Sequence, residues 1–156
     1  RSINKSSNAI LIQNFNDLVN YKLREKSILL AVGSRKLKEA MIGIKKSGAK
    51  PYARVLANPE SIKKALSSSI PTKNLAVLNP LITSNGDIEK ALIRKWSIYG
   101  VICRQSGGIT EDLWQKSCFA MGIDLWLLKR PCKSQYVNSV DNYEELIKRL
   151  KSISIE

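Results

Sequence analysis

Short apolar runs alternate with amphipathic stretches along almost the whole chain. Ser27–Gly33, SILLAVG, is the cleanest run. It is continuous, apolar and short, as expected of a strand in the middle of a parallel sheet. Pro51–Ala57, Asn74–Leu78, Gly100–Cys103 and Ile123–Leu128 read as further strands. Between them apolar residues recur at helical spacing. Leu37, Ala40, Met41 and Ile44 mark a helix over Lys36–Ser47, and Ile62, Ala65 and Leu66 mark one opened by Asn58-Pro59-Glu60. Ile88, Ala91, Leu92 and Ile93 do so over Asp87–Ser97, and Leu113, Ser117, Ala120 and Met121 in a helix that Thr110 can cap. Gly48 and Gly122 fall where helices stop. At the front, Asn14 or Asn16 can cap a helix through about Lys26, with Phe15, Leu18, Val19 and Leu23 as its buried stripe. At the end, Asp141-x-x-Glu144 opens a last amphipathic helix with Leu146, Ile147 and Leu150 inward.

Strand followed by helix repeats five times, with no internal sequence repeat and no low-complexity tract. That alternation predicts an α/β fold: an open, doubly wound, Rossmann-like parallel sheet of about five strands, with helices on both faces. Residues 1–12 are polar and rich in serine and asparagine, apart from the brief run Ile10–Ile12, and read as a lead-in or linker. Residues 13–156 form the α/β domain. The first residue is Arg1, and the expectation is a piece of a longer protein.

Composition narrows the chemistry. The chain of 156 residues is 44% hydrophobic, enough for one sizeable core. No apolar run approaches membrane-spanning length, so no membrane partner is expected. The formal charge of +13, from 26 basic and 13 acidic residues, points to an anionic partner. The cations are scattered, and aromatics make up 6% of residues with no base-stacking cluster, so no motif supports nucleic acid. Histidine is absent. With it go the commonest general base, the commonest zinc ligand and any Ser-His or Cys-His pairing. Cys103, Cys118 and Cys132 are odd in number and widely spaced. They read as structural thiols in a reducing, cytoplasmic setting, without a metal.

Two strand-to-helix turns carry candidate chemistry. Arg104-Gln105-Ser106-Gly107-Gly108 follows one strand and precedes a helix whose first turn holds Glu111 and Asp112, both favourable at its positive end. Gly33-Ser34-Arg35 follows another. Turns at strand carboxyl ends hold anions in such folds, and they also serve simply to reverse the chain; pattern alone favours neither. Neither turn matches GxGxxG. In a parallel sheet both turns share one edge, so Arg35 and Arg104 converge if their strands are neighbours. Arg54 interrupts an apolar strand, a placement usual at a sheet edge with the charged head in solvent.

The stretch Tyr99–Pro131 resembles the end of the precorrin-6A reductase family, the NADPH-dependent reductases of cobalamin ring synthesis. That family has a T-K-x-S-G-G-like turn, a helix running to A-x-x-L-G and a strand closing on R-R-P. Here stand Cys103-Arg104-Gln105-Ser106-Gly107-Gly108, Ala120-Met121-Gly122 and Lys129-Arg130-Pro131. Val32-Gly33-Ser34-Arg35-Lys36 is similar to the family's T-x-G-R-Q, with Ser34 either inserted or substituting in register. Arg54 stands at the arginine of its R-x-L strand, and Pro80 at its G-P-F, where Asn79 and Leu81 replace the glycine and the aromatic. Arg104 replaces the turn lysine, and Trp114 a lysine usual in the following helix.

The resemblance spans nearly the whole chain but only the second of the family's two domains. The first, with its G-G-T-x-E-A turn, has no counterpart here. What the resemblance implies is hydride transfer from NADPH to a double bond of a polycarboxylate tetrapyrrole, held between this domain and a missing N-terminal domain of the same protein. Cofactor or substrate contacts would fall to Gly33, Ser34, Arg35, Arg54, Pro80, Arg104, Ser106, Gly107, Gly108 and Thr110. No catalytic residue is implied. The competing expectation is a stand-alone, non-catalytic α/β module for a nucleotide, a phosphorylated ligand or nucleic acid.

Overall fold

The computed structural model of the chain describes residues 9–79 and 85–130, together with Tyr143, Glu144, Ile147, Lys148 and Leu150, which are helical. Pro80, Leu81, Cys132, the Asp141 cap and Leu146 lie outside the described residues. The strands are β1 (Ala9–Ile12), β2 (Ser27–Ala31), β3 (Lys50–Val55), β4 (Leu75–Val77), β5 (Gly100–Arg104) and β6 (Asp124–Leu128). The helices are α1 (Ser34–Ser47), α2 (Pro59–Leu66), α3 (Asp87–Lys95) and α4 (Ile109–Met121), with 3-10 turns at Phe15–Asn20 and Thr72–Asn74.

All pairings in the sheet are parallel, in the order β1-β6-β5-β2-β3-β4. The chain winds outward from β2 through α1 and α2 to β4. It then returns through α3 to β5, on the other side of β2, and winds outward again to β6. The direction of winding therefore reverses between β2 and β5, and a crevice opens there at the strands' carboxyl ends. Alternation along each strand divides the core into two layers. Ile28, Leu30, Ala53, Val55 and Ile102 meet Leu37, Ala40, Met41 and Ile44 of α1 on one face. Leu29, Val101, Cys103, Leu125 and Leu127 meet Leu92, Ile93, Trp114 and Cys118 of α3 and α4 on the other.

The sheet has six strands rather than about five. The additional one is Ala9–Ile12, which pairs with β6 from Ala9↔Leu125 to Ile12↔Leu128. The expected first helix is a single 3-10 segment, capped by Asn14 in a capping box with Asp17. With about three residues per turn, Phe15 and Leu18 share its inner side while Val19 rotates outward and is exposed. Leu66, at the last turn of the short α2, is likewise exposed. In α4 the inward stripe is Trp114, Ser117 and Cys118, and Ala120 faces out.

Candidate functional site

A cavity of about 520 Å³ opens at the β2/β5 reversal, walled by the starts of α1, α2 and α4. Gly33, Ser34, Arg35, Arg54, Arg104, Ser106 and Thr110 line it, so most of the residues expected from sequence meet in one place. The condition for Arg35 and Arg104 to converge is met, because β2 and β5 are hydrogen-bonded neighbours. Gly107 and Gly108 are not part of the lining; they form the turn behind Ser106. Gly107 has a φ of 64°, a conformation that suits glycine. Gly108, not Thr110, occupies the cap position of α4, and Thr110 lies in its first turn.

Glu111 decides what that turn can do. Its carboxylate is only 2% exposed. Oε2 accepts hydrogen bonds from the backbone N–H groups of Ser106 at 2.5 Å and Gly107 at 2.7 Å, while Oε1 accepts one from Gln115 Nε2 at 3.0 Å. Gly108 N–H donates to Ser106 Oγ at 3.3 Å. The amides that a glycine turn would offer a ligand are thus held by the chain's own carboxylate. From the sequence pattern Glu111 is only an acid favoured near a helix start. Its spacing from Ser106 and Gly107, five and four residues, was the available signal.

The start of α1 is built differently. Gly33 turns the chain with φ 79°, and no side chain caps the helix. Its first turn carries Arg35 and Lys36 and no acid. Ser34 Oγ donates to Ser61 Oγ at 3.3 Å, tying α1 to α2, whose own start is capped by Asn58 Oδ1 accepting from Ser61 N–H at 2.8 Å. Lys64 pairs with Glu60 across one turn of α2, and both border the cavity. The lysine holds the exposed Glu60 carboxyl below its usual range.

Arg54 is the unusual cation. β3 is not an edge strand but lies between β2 and β4, so the guanidinium cannot reach solvent along the sheet rim. It is 8% exposed, lines the cavity, and its Nε and Nη2 have no hydrogen-bond partner among the described residues.

The two described thiols are inert by placement. Burial pushes the Cys103 thiol up to about 12, helped by the Glu111 charge, and burial with Asp124 does the same for Cys118. Both thiols should resist iodoacetamide at pH 8 in the folded chain and react on unfolding, as read by peptide mass mapping. The sign for stability follows. Unfolded thiols ionise near 9.0 while the folded ones stay protonated to about 12, so their contribution is intact below pH ~9 and is lost as pH rises through that window. Rapid native labelling at Cys103 would contradict its burial beneath the cavity.

A second hollow, of about 580 Å³, lies at the opposite ends of the strands, beside Lys26 and Tyr99. Its lysine already sits 4.8 Å from the centre of the Tyr99 ring. Among the described residues, no His, Cys, Asp and Glu cluster could hold a metal ion, and no helix is long and apolar enough to cross a membrane.

Fold and cavity together define an open α/β domain with a cation-lined cleft at its topological reversal. Comparison with known proteins carries this further. The chain belongs to the precorrin-6x reductase CbiJ/CobK family, whose family model matches residues 1–151. It is 32% identical over 110 residues to a cobalt-precorrin-6A reductase from Synechocystis sp., covering 70% of this chain and 41% of that protein. A solved structure described as CobK precorrin-6A reductase shares the fold, with a TM-score of 0.66 at 16% identity, over 97% of this chain and 59% of the other. The chain thus spans well under two thirds of the curated relative it matches.

Proposed function

We propose that this chain is the C-terminal α/β domain of a cytoplasmic, two-domain precorrin-6A reductase, using NADPH to reduce one double bond of a polycarboxylate precorrin in cobalamin synthesis. The observation that carries the reading is the gathering of Arg35, Arg54 and Arg104 around one cavity in a chain of this family. Both ligands of the proposed reaction are polyanions, and the unpartnered donors of Arg54 beside the uncapped start of α1 suit phosphate or carboxylate oxygens. NADPH, when bound, supplies the hydride. The part of this chain is to bind and orient, work that needs fixed cations and a shaped wall more than a proton-shuttling pair. A sequence without histidine is therefore no obstacle.

The partner in this proposal is an N-terminal α/β domain of the same protein, closing over the cleft. The test is NADPH oxidation with precorrin-6A, using the product of the full reading frame beside the 156-residue chain. The full product should turn over, and the isolated chain should not. Equal rates in both would refute the two-domain arrangement. An inactive full product, or a reading frame with no upstream α/β half, would refute the reductase assignment and favour a stand-alone binding module.

A further inference from the structure

Two long helices begin on the cavity, and their starts are prepared for opposite charges. The turn before α4 has its Ser106 and Gly107 amides filled by Glu111, and Asp112 adds a second acid to the first turn. The start of α1, a helix of 14 residues, has no acid and no capping side chain. Arg54 supplies an independent sign that something is to be bound. Buried polar groups are nearly always hydrogen-bonded, and a guanidinium carries its charge at any working pH, so it cannot escape burial by losing a proton. Yet Nε and Nη2 of this 8% exposed side chain at the cavity wall are unpartnered among the described residues.

We propose that the cavity binds an oxyanion, a phosphate or a carboxylate, at the Gly33–Arg35 start of α1 with Arg54 as its counter-charge, and that Glu111 closes the adjoining glycine turn to anions. This rests on the reductase reading for the ligand's source and adds its orientation. The ligand's anionic end lies towards β2 and β3, and an uncharged portion faces Glu111 beside β5. Glu111 is a specificity-determining residue here. Its charge occupies the backbone donors that would otherwise compete for the same oxyanion. The free donors therefore lie at the α1 pole of the cleft, while at the other pole Glu111 opposes the charge of Arg104.

The test uses the 156-residue chain and inorganic phosphate, followed by amide chemical shifts at constant ionic strength with chloride as the control. Saturable shifts are expected at Gly33, Ser34 and Arg35, and not at Ser106 or Gly107. Arg54→Met should weaken phosphate binding about tenfold or more, as for losing a charge-assisted hydrogen bond. Arg54→Lys, which keeps the charge but not the planar fork, should fall between, and serves if the methionine variant does not fold. Glu111→Gln should strengthen binding roughly three- to tenfold by removing a like charge. Competition then separates the sources: displacement by 2′-phosphoadenosine 5′-diphosphate assigns a phosphate, and displacement by an octacarboxylate porphyrin assigns a carboxylate. Shifts centred on Ser106 and Gly107, no response beyond that to chloride, or unchanged affinity in both Arg54 variants would overturn the proposal. Oxyanion binding that persists when the full-length product lacks reductase activity would overturn the reductase reading and leave this subsite standing.

Discussion

Trp114→Ala is expected to destabilise the chain by about 3–5 kcal/mol, the range for removing a buried tryptophan and leaving a cavity. Trp114 is fully buried and belongs to the layer of Val101, Leu125 and Cys118 between α4 and the sheet. Little of its value is polar, because the indole Nε1 has no partner among the described residues. Trp114→Phe should cost less, about 1–2 kcal/mol, since it keeps one aromatic ring and removes an unsatisfied donor while leaving only a small void. Trp114→Lys, which restores the residue that the family resemblance leads one to expect, should be at least as damaging as alanine, because it places an ammonium in an apolar layer. Urea unfolding of the three variants measures the series. A loss under about 1 kcal/mol for alanine would mean that α4 does not pack on the sheet through this residue.

Glu111→Ala should cost about 2–4 kcal/mol, because four donors lose one acceptor group in a single change. The amides of Ser106 and Gly107, the Ser106 hydroxyl and the Gln115 side chain all converge on that carboxylate. Glu111→Gln should cost far less. Its amide oxygen can keep the two backbone donors, while its NH2 group meets Gln115 once that side chain turns its own oxygen inward. Denaturant unfolding gives the energies, and hydrogen exchange at Ser106 and Gly107 gives the location. Exchange should accelerate in the alanine variant and stay slow in the glutamine one. Identical losses in the two would show that charge, not hydrogen-bond satisfaction, holds the turn.

The family and much of the cleft were legible in the chain because they depend on local order. Strand-turn-helix punctuation places Gly33-Ser34-Arg35 and Arg104-Gln105-Ser106 at one edge of a parallel sheet, and the observed β2/β5 pairing joins them. What was not legible depends on contacts distant in sequence. Ala9–Ile12 is only four residues long and becomes a strand through β6, near the other end of the described chain. By pattern alone Arg54 reads as an edge residue until β4, a strand of three residues, covers that side of β3; only the family resemblance sets it at the ligand. The reach of Glu111 back across the turn depends on a side-chain conformation that hydrophobic periodicity does not encode. Val19 departs from the expected stripe for a simpler cause: a spacing of 3.6 residues per turn fails on a 3-10 segment.

The order of the strands also bears on how the cleft comes into being. β2 reaches β3 through α1 alone, and β5 reaches β6 through α4 alone. The pieces β2-β3-β4 and β5-β6 can therefore each assemble from near neighbours in the chain, while β1 joins β6 from far away in sequence. The β2/β5 seam is different, since β3, α2, β4 and α3 all intervene. Closing that longer loop costs more chain entropy before any contact repays it, which makes the seam a late pairing. The cavity straddles this seam, with Arg35 and Arg54 on one half and Arg104 and Glu111 on the other. A chain whose halves have formed but not joined has its cations on separate pieces and no cleft between them. Joining those two pieces and creating the binding site are one event.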